Sequence, residues 1–308
     1  MPHKLIISPS DDGRRLDKVI RSIWPGLPLS VVMKGLRTGA VRLDGKKAPI
    51  NFRVSAGQEL YVPWDSPRDT AGNYRYRRTL PVLFRDRGLW AVDKPSNLLV
   101  QPARKGQDNV IDRVRYMLSL EGAEERAYAV HRLDRNTTGI MLVALSGPPL
   151  RILQDAFRDR AIGKTYLAVV AGLPKTSGEI DSPLLKSPSS NMVQVDRRGK
   201  DALTRYRLLA GGRDISLVEI ELITGRSHQA RVHMASVGHP ILGDVRYGRD
   251  DINGRFQKLG VRRPQLHSWK LRFETLNGEL SHLAGVTLDA PPPEDMLALS
   301  SAMGWPGL

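Results

Sequence analysis

At 308 residues, with 41% hydrophobic and 26% charged content, the chain has the make-up of a globular protein, one large domain or a large and a small one. Its 47 Lys and Arg against 32 Asp and Glu leave a net charge of +15, which favours a polyanionic partner because phosphate contacts release condensed counterions. The lack of cysteine excludes disulfides, Fe–S clusters, zinc knuckles and thiol nucleophiles, and no stretch nears the roughly 18 apolar residues that span a membrane.

The N-terminal stretch MPHKLIISPSDDGRR has a short apolar run and early acids, unlike a secretory signal or presequence, so the chain reads as cytoplasmic. Leu16, Val19, Ile20 and Ile23 then recur at helical spacing, predicting a helix over 14–24 with Asp11 or Asp12 as its cap. A second helix is expected from Leu29 to Arg37, stopped at Gly39. VRL-DG-KK reads as a hairpin turning on Asp44-Gly45, and QELYV as a closing strand. Residues 1–64 carry 11 Lys/Arg against 5 Asp/Glu. Arg14, Arg15, Lys18, Lys34 and Arg37 are therefore expected to form a phosphate-binding surface. The aperiodic, Pro- and Arg-rich stretch that follows predicts a linker over 65–79 and a second domain over 80–308.

In that domain the apolar runs GIMLVAL, TYLAVVAG and SLVEIELI predict strands, and helices are expected over about 149–160, stopped by Gly163, and about 227–237, stopped by Gly238. Strands and helices do not alternate in a βαβ rhythm, so the expected class is α+β rather than doubly wound. The terminal GWPGL reads as a frayed or lightly docked tail.

Three clusters carry candidate chemistry. HRLDRNTTG places Asp134 among His131, Arg132 and Arg135 on a turn leading into a buried strand, where flanking cations favour the charged form a carboxylate nucleophile needs. It differs from a kinase catalytic loop in the placement of the Asp, and no Gly-rich loop precedes it. TGRSHQARVHM places Arg226 just past a strand, within reach of a carboxylate in a neighbouring loop. Its histidines, His228 and His233, with His239 beyond, are spaced five and six apart, which does not fit a helical metal pair. KTYLAVVAG sets Tyr166 at the start of an aliphatic strand. Gly39 to Lys46 lacks the spacing and the Ser/Thr of a phosphate loop.

Together these stretches resemble the RluA/RluC/RluD family of pseudouridine synthases across almost the whole chain. VDKPSNLLVQP resembles VxKPxGLxVHP, with Asn97 and Gln101 in place of Gly and His. HRLDRNTTGIMLVA, KTYLAVVAG, GRSHQARVHMASVGHPILGDVRYG and LHSWKLRF resemble the family's other motifs, with conservative departures at Thr138, Ser227 and Ala230. PLLKSPSSNMVQV and GKDALTRY look closest to the RluC-type enzymes. The resemblance implies a mixed, mainly antiparallel catalytic sheet with flanking helices, preceded by a small alpha-L RNA-binding domain. It implies isomerisation of uridine in large-subunit ribosomal RNA or its precursor, without metal, nucleotide or other cofactor, the alternatives being a non-catalytic RNA-binding ribosome-assembly factor or a synthase acting on transfer RNA. Asp134 would be the nucleophile, Tyr166 the ring that stacks on the base and assists proton removal at C5, and Arg226 the partner of Asp134. His131, Arg132, Arg135 and Leu242 would contact substrate. The residues leave open whether Asp134 attacks C1′, attacks the base, or takes the C2′ proton, and a monomer is the simplest assembly.

Overall fold

The computed structural model describes residues 3–24, 27–64, 78–102, 104, 106–123, 126–187, 190 and 192–305. Most of the expected linker, and Pro306 onward in the expected tail, lie outside the described residues. Trp305, however, is buried among Leu217, Phe256 and Leu299, so that part of the tail is docked.

The N-terminal unit contains strands β1 (His3–Ile6), β2 (Arg42–Leu43) and β3 (Glu59–Val62) and helices α1 (Leu16–Ile23) and α2 (Leu29–Thr38). The sheet order is β1-β3-β2. Leu16, Val19 and Ile20 of α1 and Val32 and Leu36 of α2 bury against Leu60 and Val62, as helical and alternating spacing require. Gly39 ends α2 at φ 75°, and Asp44 and Gly45 turn the hairpin at φ 50° and 74°. No aspartate caps α1. The helix starts after Arg15 without a side-chain cap, and Asp11 ends a short 3-10 turn with its carboxylate engaged elsewhere.

The second unit contains β4 (Val82–Arg85), β5 (Leu89–Lys94), α3 (Val110–Leu120), β6 (Tyr128–Ala129), β7 (Thr138–Ala144), α4 (Gly147–Arg158), β8 (Ile162–Ala171) and β9 (Ser177–Asp181). It continues with β10 (Leu184–Lys186), β11 (Val193–Val195), β12 (Leu203–Ala210), β13 (Ile215–Leu222), α5 (Gln229–Ser236), α6 (Asp250–Phe256), β14 (Leu266–Phe273), β15 (Thr287–Asp289) and α7 (Glu294–Ala302). The main sheet runs β4-β5-β7-β14-β8-β13-β12-β9, with β6 beside β7 and β15 beside β14. Its strand pairs are antiparallel except β7 with β14, which confirms the mixed α+β class. Arg160, at φ 60°, makes the reversal after α4, and the expected stop, Gly163, lies inside β8. Period-two alternation along β8 sends Tyr166, Ala168 and Val170 to one face of the sheet and Val169 and Ala171 to the other.

A polar network joins the two units. Asp11, 1% exposed, accepts from Arg14 and, at 2.8 Å, from Arg126. Arg14 also donates to the Tyr128 hydroxyl at 2.8 Å and lies 4.2 Å over its ring. Arg151 reaches Asp12 at 3.5 Å. Arg14 is thus held at the junction rather than on an open phosphate-binding face, a correction that follows from the docking of the units. Arg15 is exposed but pairs with Asp17 at 3.0 Å, whereas Lys18, Lys34 and Arg37 are exposed. Asp11→Ala would leave two arginines facing each other in a closed junction, and we expect a stability loss of about 3 kcal/mol. Denaturant unfolding measures it, and an unchanged midpoint would mean that the Asp11 pairs add nothing to the stability of the junction.

Candidate active site

Asp134 lies in the loop between β6 and β7, where the Thr137 N–H closes a turn on its carbonyl at 3.1 Å. Two backbone features set this loop. Gly139 enters β7 at φ 105°, where a Cβ would lie 2.2 Å from the Ser268 carbonyl of β14. Lys94, fully buried at the end of β5, donates to the carbonyls of Pro95 and Arg135, each at 2.9 Å. Burial pushes the Lys94 ammonium down to about 7, against the opposing pull of the Asp134 charge.

The partner of Asp134 is Arg231 on α5, whose Nη1 donates to Oδ2 at 3.0 Å. Arg231 is itself gripped by Asp244, which accepts from Nε at 2.6 Å and from Nη2 at 2.9 Å. Asp244 is fully buried, and its Oδ1 also accepts the N–H groups of Arg246 at 2.9 Å and Tyr247 at 3.2 Å. Burial opposes the charge on Asp244, yet the Arg231 bonds and these N–H groups outweigh it and hold the carboxyl below its ordinary range. The cationic fork is therefore fixed before any ligand arrives. His228 adds a second contact, its Nε2 lying 3.8 Å from the same Oδ2.

Arg226 does not pair with Asp134. It is exposed, and its Nε donates to the Asp201 carbonyl at 2.9 Å while the side chain lines the cleft. Arg226 belongs to the turn out of β13, and the helix begins only at Gln229, after His228 at φ 55°. Arg231, the third residue of α5, is the arginine that the helix places against the Asp134 loop.

Tyr166 is 7% exposed and lines the same cleft. Burial, reinforced by the Asp134 charge, pushes its hydroxyl up to about 12, so it stays protonated at neutral pH and is suited to present a ring rather than to act as a base. Arg132 and Arg135 are exposed at the cleft. His131 lines it too, but its Nε2 accepts the Leu142 N–H at 3.0 Å and its ring packs on Phe157 with centroids 4.7 Å apart. Burial pushes His131 down to about 3, so it is a neutral wall and not a phosphate contact. Leu242 does not reach the cleft. It is 1% exposed with Val169, Ile252 and Phe256 on the opposite face of the sheet, tied into β8 by its N–H to the Val169 carbonyl at 2.8 Å.

The three histidines of the second cluster diverge. His233 bonds Thr204 and the Ser182 carbonyl, His239 bonds the Ala171 carbonyl, and only His228 faces Asp134. The cleft measures about 1170 Å³. That exceeds the roughly 300–1,000 Å³ of ordinary small-ligand pockets and suits a segment of polymer. Among the described residues, eight arginines and lysines line it and Asp134 is its one carboxylate.

A family model for RNA pseudouridylate synthase matches residues 88–236, a span that holds the Asp134 loop, Tyr166 and Arg231. The ribosomal large subunit pseudouridine synthase D of Zymomonas mobilis is 37% identical over 301 residues, 93% of each chain. The chain belongs to the RNA pseudouridylate synthase family. The synthase is also 31% identical to the ribosomal large subunit pseudouridine synthase C of Vibrio parahaemolyticus over 85% of each chain. Its relatives thus include both D- and C-named enzymes, and they do not single out the C type. Among solved structures, human RNA pseudouridylate synthase domain containing 4 superposes with a TM-score of 0.61 at 25% identity, covering 73% of this chain and 93% of that one.

Sequence reasoning missed Arg231, Asp244, Tyr247 and Lys94 as parts of the site. All four lie in stretches that carry the family resemblance, but neither charge nor spacing marked them as contacts of Asp134.

Proposed function

We propose that the synthase isomerises uridines of large-subunit ribosomal RNA, with Asp134 as its catalytic carboxylate and with no metal or organic cofactor. The observation that carries this reading is a single carboxylate, clamped by Arg231, in an otherwise cationic cleft. The reaction breaks N1–C1′, turns the base and joins C5 to C1′. C5 loses a proton and N1 gains one, so no oxidant, reductant or second substrate is needed. A stacked uridine cannot reach a carboxylate in such a cleft, so the nucleotide must be flipped out. The few kcal/mol this costs can be offset by stacking on the Tyr166 ring, at about 1–3 kcal/mol, and by phosphate contacts from Arg132, Arg135 and Arg226.

In this reading residues 1–64 form the alpha-L RNA-binding domain, with Lys18, Lys34 and Arg37 meeting phosphates, residues 65–79 link it to the catalytic domain of residues 80–308, and the enzyme works as a cytoplasmic monomer. No helix among the described residues is long and apolar enough to cross a membrane. The relatives' names supply the substrate: both the D- and the C-named enzymes are ribosomal large subunit synthases. Mapping pseudouridine across ribosomal and transfer RNA in cells with and without the gene tests the proposal. Large-subunit marks are expected to vanish and to return with the wild-type gene. Marks lost from transfer RNA alone would overturn the substrate, and no lost mark would overturn the activity.

A further inference from the structure

The mechanism so far uses Arg231 as the partner of Asp134 and leaves His228 unassigned, although the fold holds this side chain with some care. His228 sits in the left-handed region at φ 55°, immediately before α5, a conformation that non-glycine residues seldom adopt. Its Nδ1 lies 2.8 Å from the Tyr247 hydroxyl, the two rings meet edge to face at 5.6 Å, and its Nε2 points to Asp134 at 3.8 Å. The Tyr247 oxygen also receives the Val193 N–H at 3.0 Å from β11. With the Val193 N–H taking one side of the oxygen, the hydroxyl proton is free to point to His228 Nδ1 as acceptor. In that tautomer the imidazole proton is on Nε2, facing the carboxylate. Tyr247 is held in turn by its N–H bond to Asp244 at 3.2 Å and by the Arg231 guanidinium 5.0 Å over its ring.

Resting on the reading of Asp134 as the catalytic carboxylate, we propose that His228 is a positioning residue for it. The Tyr247 hydroxyl fixes its neutral tautomer, and its Nε2–H closes on Oδ2 when the carboxylate moves to react. Arg231 is bidentate to buried Asp244 and cannot follow such a movement, whereas His228 starts about 0.8 Å beyond a normal hydrogen bond and can. The neutral state is favoured by the surroundings. Burial lowers the imidazole pKa most, the Asp134 charge raises it, Arg231 and Arg246 lower it, and Asp244 raises it, for a net fall below the ordinary histidine value. Protonation would place an N–H on Nδ1 against the proton that Tyr247 donates, breaking the tautomer lock. Activity should therefore fall as pH drops through the His228 pKa.

The test is single-turnover release of tritium from C5 of uridine in a transcript of large-subunit ribosomal RNA, measured between pH 5 and 8. It compares wild type, Asp134→Asn, His228→Ala, His228→Gln and Tyr247→Phe, after thermal melts show each to be folded. His228→Ala is expected to lower the rate at saturating RNA by about 10- to 100-fold with RNA affinity unchanged, the scale of one directed donor. His228→Gln keeps an N–H near the Nε2 position without a titrating ring. It should recover part of that loss and abolish the acid limb. Tyr247→Phe removes the tautomer lock itself, so its rate should fall toward that of His228→Ala across the whole range and its acid limb should flatten. Wild-type rates and an unmoved acid limb in the Gln and Phe variants, with Asp134→Asn inactive, would overturn the role of His228 alone. Turnover by Asp134→Asn would overturn the reading of Asp134, and this inference with it.

Discussion

Asp134→Asn is expected to abolish turnover, by at least about 10³-fold in single-turnover assays, while leaving RNA affinity within a few-fold of wild type. The two side chains have the same shape, so the cleft and its eight basic residues stay in place and continue to hold phosphates. What the amide lacks is the negative charge and the acceptor capacity of a carboxylate, which any reaction at the sugar or at the base requires. Arg231 would remain anchored on Asp244, so the fold around the loop should survive. Filter binding and tritium release together decide the matter. Loss of binding with normal turnover of the RNA still held would mean that Asp134 anchors substrate and that another group does the chemistry.

The strands of the main sheet were legible because their apolar runs bury on both faces: β7 is buried along its whole length and β8 along most of it. Helix ends marked by Gly39 and Gly238 were legible for the same local reason, a left-handed residue where the helix stops. Asp134 could be found because its loop sits where an apolar strand begins. The pairing partner could not, since Arg226 and Arg231 differ only in how the turn after β13 rotates them, and that rotation depends on His228 adopting φ 55°. Leu242 failed for a related reason. Its face is set by its bond to β8, 73 residues earlier in the chain, and a register of that kind leaves no trace in local pattern. Arg14 reads as one of several exposed cations on α1's polar side, but it becomes a junction residue once Tyr128 and Arg126 of the second unit close over Asp11. Local rules identified elements and the carboxylate proposed to react; contacts made only on assembly placed the other side chains.

Arg231 and Arg226 should therefore separate cleanly when each is replaced. Arg231→Ala removes the Oδ2 partner of Asp134 and strands Asp244, a fully buried carboxylate whose remaining partners are backbone N–H groups. Breaking a buried pair in this way costs about 3–5 kcal/mol, so the variant should melt well below wild type as well as losing activity. Arg231→Lys supplies a charge but not the three-way fork that reaches both carboxylates, and we expect it to remain at least about 10²-fold slow even where it folds. Arg226→Ala, by contrast, removes an exposed cation that bonds one backbone carbonyl. Its stability should change by under about 0.5 kcal/mol, and its rate at saturating RNA should match wild type. Only its affinity should fall, with the slope of log affinity against log salt reduced by about one unit. A slow Arg226→Ala enzyme at saturating RNA would return that residue to the reacting centre, and a fast, stable Arg231→Ala enzyme would remove the clamp from the mechanism. The physical distinction is burial: a cation wedged between two carboxylates is expected to set the geometry of the reaction, and one on the rim to set how tightly the polyanion is held.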